Sequence, residues 1–296
     1  MATVGTEVLE QNPPQQKLDW QTISKHPAFI PGVSILAAIL FCFWHLLQGL
    51  PDKWFADDGY YSHGVLVPFI SAYIIYRWWP RIGKTPVKPF YPALIPFLAF
   101  LVIYRAAYIT DIQQIMSICL VACISCGIWF ALGGRWMWLT LIPVGYLFFM
   151  LPIWTAVIDN YTNPLQRLST DVAFWMLNVG GFEPFKDTET IIYLNNFVLD
   201  VGVPCSGFKL VLAVTAFTIF FMCVAKLNFW GNLVMVSSVL PLCLFINGLR
   251  IALIGVVGDI YGRDAGMKFH DYSGYITLLI CFFLLFKLAR FLGWKD

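Results

Sequence analysis

The chain has 296 residues, of which 59% are hydrophobic and only 12% are charged, and its mean hydropathy is +0.72. Soluble domains are about 45–50% apolar and about 25% charged, so this composition excludes a soluble globular enzyme and indicates a polytopic membrane protein. The net charge of +2 lacks the clustered excess of Lys and Arg that nucleic-acid binding requires. We therefore expect no nucleic-acid partner and look for partners in the membrane and among its lipids.

The first 30 residues differ from the rest of the chain. Residues 1–30 are polar, rich in Gln and Pro, and show no periodic apolar stripe. They predict a flexible cytoplasmic leader, because a cleavable signal would begin with a short basic segment. Residues 31–296 are then expected to form a single transmembrane domain.

Eight apolar runs follow the leader, and each approaches the roughly 20 helical residues that cross a bilayer. Charged residues, Gly or Pro bound each run. The sequence therefore predicts an all-α membrane protein, a bundle of about eight transmembrane helices, with spans near 31–50, 60–79, 92–109, 113–132, 136–152, 206–224, 231–249 and 273–292.

Lys and Arg set the predicted orientation, because cytoplasmic loops are enriched in them. With the N-terminus in the cytoplasm, the eight-span arrangement places these basic residues inside, on alternate loops: Arg77, Arg81, Lys84, Lys88, Arg135, Lys226, Lys287, Arg290 and Lys295. Both termini are then cytoplasmic, in a plasma membrane. Residues 153–205 become the large outer segment.

The outer segment carries its own structural signals. Apolar residues recur at helical spacing over 164–180, with Pro164 in the first turn and Gly180 at the end, which predicts a short amphipathic helix along the membrane surface. Residues Thr190 to Asp200 are β-branched and aromatic, which is typical of a short strand or hairpin.

Seven of the eight cysteines lie within apolar runs, where a free thiol behaves as a small hydrophobic side chain. Cys119, Cys123 and Cys126 recur at helical spacing, but no His or carboxylate joins them, so we assign them no metal. No cofactor motif is evident. Only Cys205 lies at a boundary, and it is the one cysteine with expected chemistry.

Three reactive side chains are predicted to meet at the outer face. Cys205 opens the sixth span, Arg250 closes the seventh, and His270 precedes the eighth. Because the spans alternate in direction, all three come out on the same side. Ionisable groups at membrane helix ends are costly to insert, and each is a functional candidate for that reason.

These residue types fit nucleophilic catalysis on a carbonyl. The thiolate is the reactive form of Cys, and a helix N-terminus or a nearby cation favours it. His270 is the expected base, and Arg250 is expected either to stabilise the oxyanion or to bind a substrate carboxylate. The predicted chemistry is attack on a peptide carbonyl.

Several neighbours are candidates for supporting roles. Lys209 lies one helical turn after Cys205 and either tunes the thiol or extends its amine to the interface. His63, at the outer end of the second span, either lines the site or makes a structural hydrogen bond. Asn247 lies one turn before Arg250 and can bond a neighbouring helix.

Two carboxylates and one hydroxyl complete the candidate set. Asp200 and Asp271 could each orient the imidazole or the guanidinium, and the sequence does not choose between them. Ser206, next to Cys205, is an alternative nucleophile that would pair with His270 in a membrane serine protease.

The segments Val203-Pro204-Cys205-Ser206-Gly207-Phe208-Lys209 and Asn247-Gly248-Leu249-Arg250, followed by His270, resemble the exosortase/archaeosortase family of membrane-embedded cysteine transpeptidases. The elements Ser62-His63-Gly64 and Pro164-Leu165-Gln166 are also similar to that family, so the resemblance covers nearly the whole chain. It implies that Cys205 is the nucleophile and that Arg250 and His270 complete the site.

The resemblance also implies a substrate class. Family substrates are exported proteins with a C-terminal sorting signal, made of a short motif that often contains Pro-Glu-Pro, an apolar helix and a basic tail. Cleavage through a Cys acyl-enzyme would transfer the protein to an unknown surface acceptor, or release it if water is the acceptor. The alternative from another class is a multipass transporter or channel, which the nearly charge-free interior of the spans disfavours.

Overall fold

The computed structural model describes residues 24–56 and 59–294. Most of the predicted leader, residues 1–23, lies outside the described part, as do Asp57, Asp58, Lys295 and Asp296. Of the remaining leader residues, His26 places its Nε2 2.9 Å from the carbonyl oxygen of Gly83.

The protein is an all-α membrane protein, as the sequence predicts. Its α-helices are, in chain order, α1 (Phe29–Cys42), α2 (Trp44–Gln48), α3 (Leu50–Trp54), α4 (Val67–Ile82), α5 (Leu94–Ile109), α6 (Gln113–Leu132), α7 (Gly134–Tyr146), α8 (Thr155–Val179), α9 (Phe208–Ala225), α10 (Phe229–Tyr261) and α11 (Arg263–Phe291).

Among the described residues, fewer than the predicted eight helices are long and apolar enough to qualify as membrane spans. Five helices in the described part are long and apolar enough to cross a membrane, and seven result if two bent pairs each count as one span. The predicted second span is α4, which has 16 residues. At about 1.5 Å per residue α4 is shorter than a hydrocarbon core of about 30 Å.

The two bent pairs explain part of the difference. The chain turns by 74° between α1 and the segment Trp44–Trp54, and by 64° between Gly134–Met150 and α8. A hydropathy pattern records apolar length but not direction, so it does not reveal such bends.

The amphipathic helix of the outer segment begins earlier than expected. α8 starts at Thr155, so Pro164 lies inside the helix and not in its first turn. Gly180 follows its last residue, as predicted. Its buried face includes Leu165, Ala173 and Leu177, and it packs against α10, where Val172 fills the space above Gly248.

The predicted hairpin is present and belongs to a small antiparallel sheet. Its strands are β1 (Phe185–Lys186), β2 (Ile191–Tyr193) and β3 (Val198–Asp200), in the order β1-β2-β3, with Ile192 opposite Leu199. Ile192 and Leu199 are buried against α8 and α10. The sheet therefore anchors the segment that leads directly into Cys205.

Candidate active site

Cys205 lies in a tight turn before a helix. It ends a 3₁₀ turn, Val203–Cys205, and its amide N–H donates to the carbonyl oxygen of Gly202 at 2.9 Å. Gly207 follows with φ of +83°, a left-handed conformation that a residue with a Cβ rarely adopts, and α9 begins at Phe208. The cysteine thus precedes the helix and is not part of it.

The predicted boundaries of α10 and α11 were wrong in a way that matters for the site. Arg250 does not close its helix, because α10 continues to Tyr261, and His270 does not precede α11, which begins at Arg263. Only the apolar part of each helix appears in a hydropathy pattern. Both helices extend beyond it, joined at Gly262, whose φ is +88°.

The thiol and the imidazole are in direct contact. The Sγ of Cys205 lies 2.9 Å from the Nε2 of His270, although the two residues are 65 positions apart in sequence. The Nδ1 of His270 lies 3.4 Å from the Oδ1 of Asp271, a long contact to a side chain that is 70% exposed. This is the nucleophile, base and orienting group arrangement of cysteine acyl-transfer enzymes.

Asp271 is therefore the carboxylate next to the imidazole. Asp200 lies on β3 with an exposed side chain, and its backbone carbonyl accepts from the N–H of Gly202. The sequence left both carboxylates as candidates for orienting the imidazole. Asp271 directly follows His270 on α11, and this position brings its carboxylate next to the ring.

Arg250 forms hydrogen bonds to α11, the helix that carries His270. Its Nε donates to the Oγ of Ser273 at 3.0 Å, and its Nη2 donates to the backbone carbonyl of His270 at 3.2 Å. Part of the guanidinium therefore holds α11 in place. Its side chain also lines a cavity, as does that of His270, which forms the dyad with Cys205.

That cavity has a volume of about 500 Å³. Its polar end is lined by His63, Lys209, Asn247, Arg250, His270 and Asp271, and its apolar end lies between α4, α9 and α11. Phe217 and Phe282 line the apolar end and stack with ring centroids 3.7 Å apart. A concave site with convergent polar groups at one end is typical of substrate binding.

His63 lies in the wall of this cavity. Both of its ring nitrogens are buried, and among the described residues neither makes a hydrogen bond of regular geometry. Burial outweighs a weak interaction with the backbone of Phe149 and, together with the nearby charge of Lys209, lowers the pKa of His63 to about 4. His63 is therefore a neutral imidazole at neutral pH.

The hydroxyl of Ser206 contacts the main chain at the start of α9. Its side chain is buried, with 1% exposure, and its Oγ accepts from the backbone N–H of Phe208 at 3.3 Å. This hydroxyl satisfies a free N–H at the start of α9. The geometry favours Cys205 over Ser206 as the nucleophile.

Asn247 connects the site to its supports. Its Nδ2 donates to the carbonyl oxygen of Cys205 at 2.9 Å and to the Oγ of Ser169 at 3.0 Å. The sequence did not single out Ser169 or Ser273. Ser273 could have been found because it lies one helical turn after His270, and Ser169 because it is a polar residue on the apolar stripe of α8.

Fold and site together define a polytopic membrane protein with a cysteine–histidine pair whose imidazole lines a cavity of about 500 Å³. The transmembrane exosortase family model matches residues 54–287, a range that contains every candidate site residue. The chain belongs to the transmembrane exosortase family. Neither a curated protein nor a solved structure is similar enough to the chain to count as a match.

Proposed function

We propose that this exosortase is a membrane-embedded cysteine transpeptidase or protease that cleaves the C-terminal sorting signal of exported proteins. One observation carries the proposal: the 2.9 Å contact between the Cys205 thiol and the imidazole of His270, which lines the polar end of the cavity. No cofactor takes part in the proposed reaction.

The reaction uses groups that are already in place. His270 takes the thiol proton, and the thiolate of Cys205 attacks the carbonyl carbon of the scissile peptide bond. The tetrahedral intermediate collapses when the C–N bond breaks and the imidazolium gives its proton to the leaving amine. The product is a thioester between Cys205 and the exported protein.

A second nucleophile resolves the thioester. An amine or hydroxyl of a surface acceptor attacks the thioester carbonyl while His270 takes its proton, and the thiol leaves in its original form. Water in the acceptor's place gives hydrolysis. Arg250 supports either course by donating to the developing oxyanion or by binding a substrate carboxylate.

The membrane supplies the alignment. A substrate with an apolar helix and a basic tail crosses the bilayer with its tail in the cytoplasm, by the same rule that orients the enzyme. Its short motif, of the Pro-Glu-Pro type, then reaches the outer face. With the dyad on that face, the substrate reaches it by diffusion within the membrane plane and arrives in a fixed orientation.

Co-expression with a reporter that ends in such a signal tests the function. Wild-type enzyme is expected to shorten the reporter, whereas Cys205→Ala and His270→Ala leave it full length. Ser206→Ala is the matched control next to the nucleophile, and it is expected to retain processing. Processing by Cys205→Ala, or its loss only in Ser206→Ala, would eliminate the assigned nucleophile.

Two further measurements test the finer parts of the proposal. The mass of the new C-terminus distinguishes transfer, which adds the acceptor, from hydrolysis, which adds only water. A membrane-impermeant maleimide applied to intact spheroplasts is expected to label Cys205. Labelling that appears only in inside-out vesicles would place the dyad on the cytoplasmic face.

A further inference from the structure

One turn of α10 contacts the main chain of both dyad residues. Arg250 donates to the carbonyl of His270 at 3.2 Å, and Asn247 donates to the carbonyl of Cys205 at 2.9 Å. The two contacts lie three residues apart on a single helix. A single helix therefore helps to fix the position of the two reactive side chains relative to each other.

The contact from Asn247 belongs to a buried network. Its side chain is 1% exposed, and its second N–H donates to the Oγ of Ser169 on α8. The hydroxyl of Ser169 in turn donates to the carbonyl of Ser206 at 3.3 Å. Consecutive carbonyls, those of Cys205 and Ser206, are thus held from two different helices.

The chemistry of the carbonyl fixes the role of the amide. A backbone carbonyl oxygen can only accept a hydrogen bond, so the group facing Cys205 must be the NH₂ of the Asn247 side chain and not its oxygen. Both of its N–H groups are then used. Only a side chain of this size that carries two donors can make both contacts.

The turn that carries the thiol needs such support. Cys205 precedes α9, and the left-handed Gly207 separates the two. Regular α-helical hydrogen bonds hold the main chain only beyond this point. A hydrogen bond weakens steeply with distance, so a displacement of about 1 Å at Cys205 would separate the thiol from the imidazole.

We propose that Asn247 is a positioning residue that, together with Ser169, holds the Cys205 turn so that the thiol stays in contact with His270. Asn247 acts through the main chain of the nucleophile and takes no part in bond making. The inference rests on the proposed function for its purpose, but its geometry can be tested without any substrate.

The test measures the reactivity of Cys205 in the purified full-length protein in detergent micelles. Iodoacetamide is the probe, and mass spectrometry of the Cys205 peptide separates this thiol from the other seven. Asn247→Ala and Asn247→Asp are each expected to slow alkylation of Cys205 at neutral pH by about tenfold, because loss of the imidazole contact lowers the thiolate population.

The two variants differ in a way that a general packing defect does not reproduce. Asp has the shape of Asn but donates only when protonated. The protonated carboxyl group supplies one donor, enough for the carbonyl of Cys205 but not for Ser169 as well. The alkylation rate of Asn247→Asp relative to wild type is therefore expected to recover in part as the pH falls toward the titration of the carboxyl group. The relative rate of Asn247→Ala stays low at every pH.

Asn232→Ala is the matched control. Asn232 lies near the other end of α10, and its Nδ2 also faces a backbone carbonyl, that of Leu227, at 3.4 Å. This variant is expected to alkylate Cys205 at the wild-type rate. Equal Cys205 reactivity in Asn247→Ala and wild type would overturn the proposal.

Ser169→Ala provides a milder variant if Asn247→Ala fails to fold. It removes one support and is expected to slow alkylation about threefold, with no additional effect in the Ser169→Ala and Asn247→Asp double variant, because both act through the same network. Additive effects would refute a shared network. If Cys205 of the wild-type protein shows the expected reactivity but the reporter is not processed, the result counts against the proposed substrate and leaves the positioning role of Asn247 intact.

Discussion

Replacing Gly207 by Ala tests how tightly the nucleophile turn is built. A Cβ at this position would lie 2.7 Å from the Nδ2 and 2.9 Å from the Cγ of Asn247. Gly207 also has φ of +83°, which an L residue with a Cβ adopts only at a cost of about 1–2 kcal/mol. The substitution therefore combines backbone strain with displacement of a buried, hydrogen-bonded side chain.

The two contributions can be separated with a control in the same chain. Gly181 has φ of +80°, and a Cβ there would meet nothing within 4 Å. Gly181→Ala is expected to lower the free energy of unfolding by the strain alone, about 1–2 kcal/mol. Gly207→Ala adds the loss of buried hydrogen bonds of Asn247, at about 1–3 kcal/mol, and reaches about 2–5 kcal/mol in total.

Unfolding in mixed detergent and SDS micelles measures the free energies, and alkylation of Cys205 reports on the site. Gly207→Ala is expected to be less stable than Gly181→Ala and to lose most of its Cys205 reactivity at neutral pH. If the two variants are equally stable and equally reactive, the close contact between Gly207 and Asn247 does not exist in the protein.

Other substitutions probe the supports of the site. Burial lowers the pKa of His63 to about 4, so between about pH 6.5 and about pH 4 the unfolded chain binds a proton that the folded protein does not. Unfolding measurements should therefore show up to about 3 kcal/mol less stability at the acid end of this range. His63→Gln should remove this part of the pH dependence, and an unchanged slope of stability against pH in that variant would contradict a buried neutral imidazole. Gly248→Ala would place a Cβ 2.4 Å from the Cγ1 of Val172 and should destabilise the protein by about 1–3 kcal/mol through the α8–α10 contact. The control Gly145→Ala, where a Cβ meets open space, should leave the stability unchanged. Equal melting temperatures of the two variants would refute this packing. Arg250→Lys should lower the rate of reporter processing at least about a hundredfold, because one ammonium group cannot reproduce the two-pronged guanidinium contact to Ser273 and His270. A wild-type rate in the Lys variant would show that the guanidinium contact is not needed.

The sequence determined the class of the protein and pointed to the candidate reactive groups. Apolar composition and apolar run length follow from the need to bury about 20 residues per span, so an all-α membrane protein could be predicted without coordinates. The β-branched residues before Cys205 likewise predicted the hairpin. The residue types of Cys205, Arg250 and His270 carried the expected chemistry.

The tertiary structure decided where the helices begin and end and how the site is held. α10 and α11 continue past their apolar segments, because polar residues can extend a helix once its apolar part is packed, and this places Arg250 and His270 within helices. The Cys205–His270 contact and the Asn247–Ser169 network join residues that lie 65 and 78 positions apart in the chain. Local patterns carry no information on such contacts, since these are set by how the helices pack against one another.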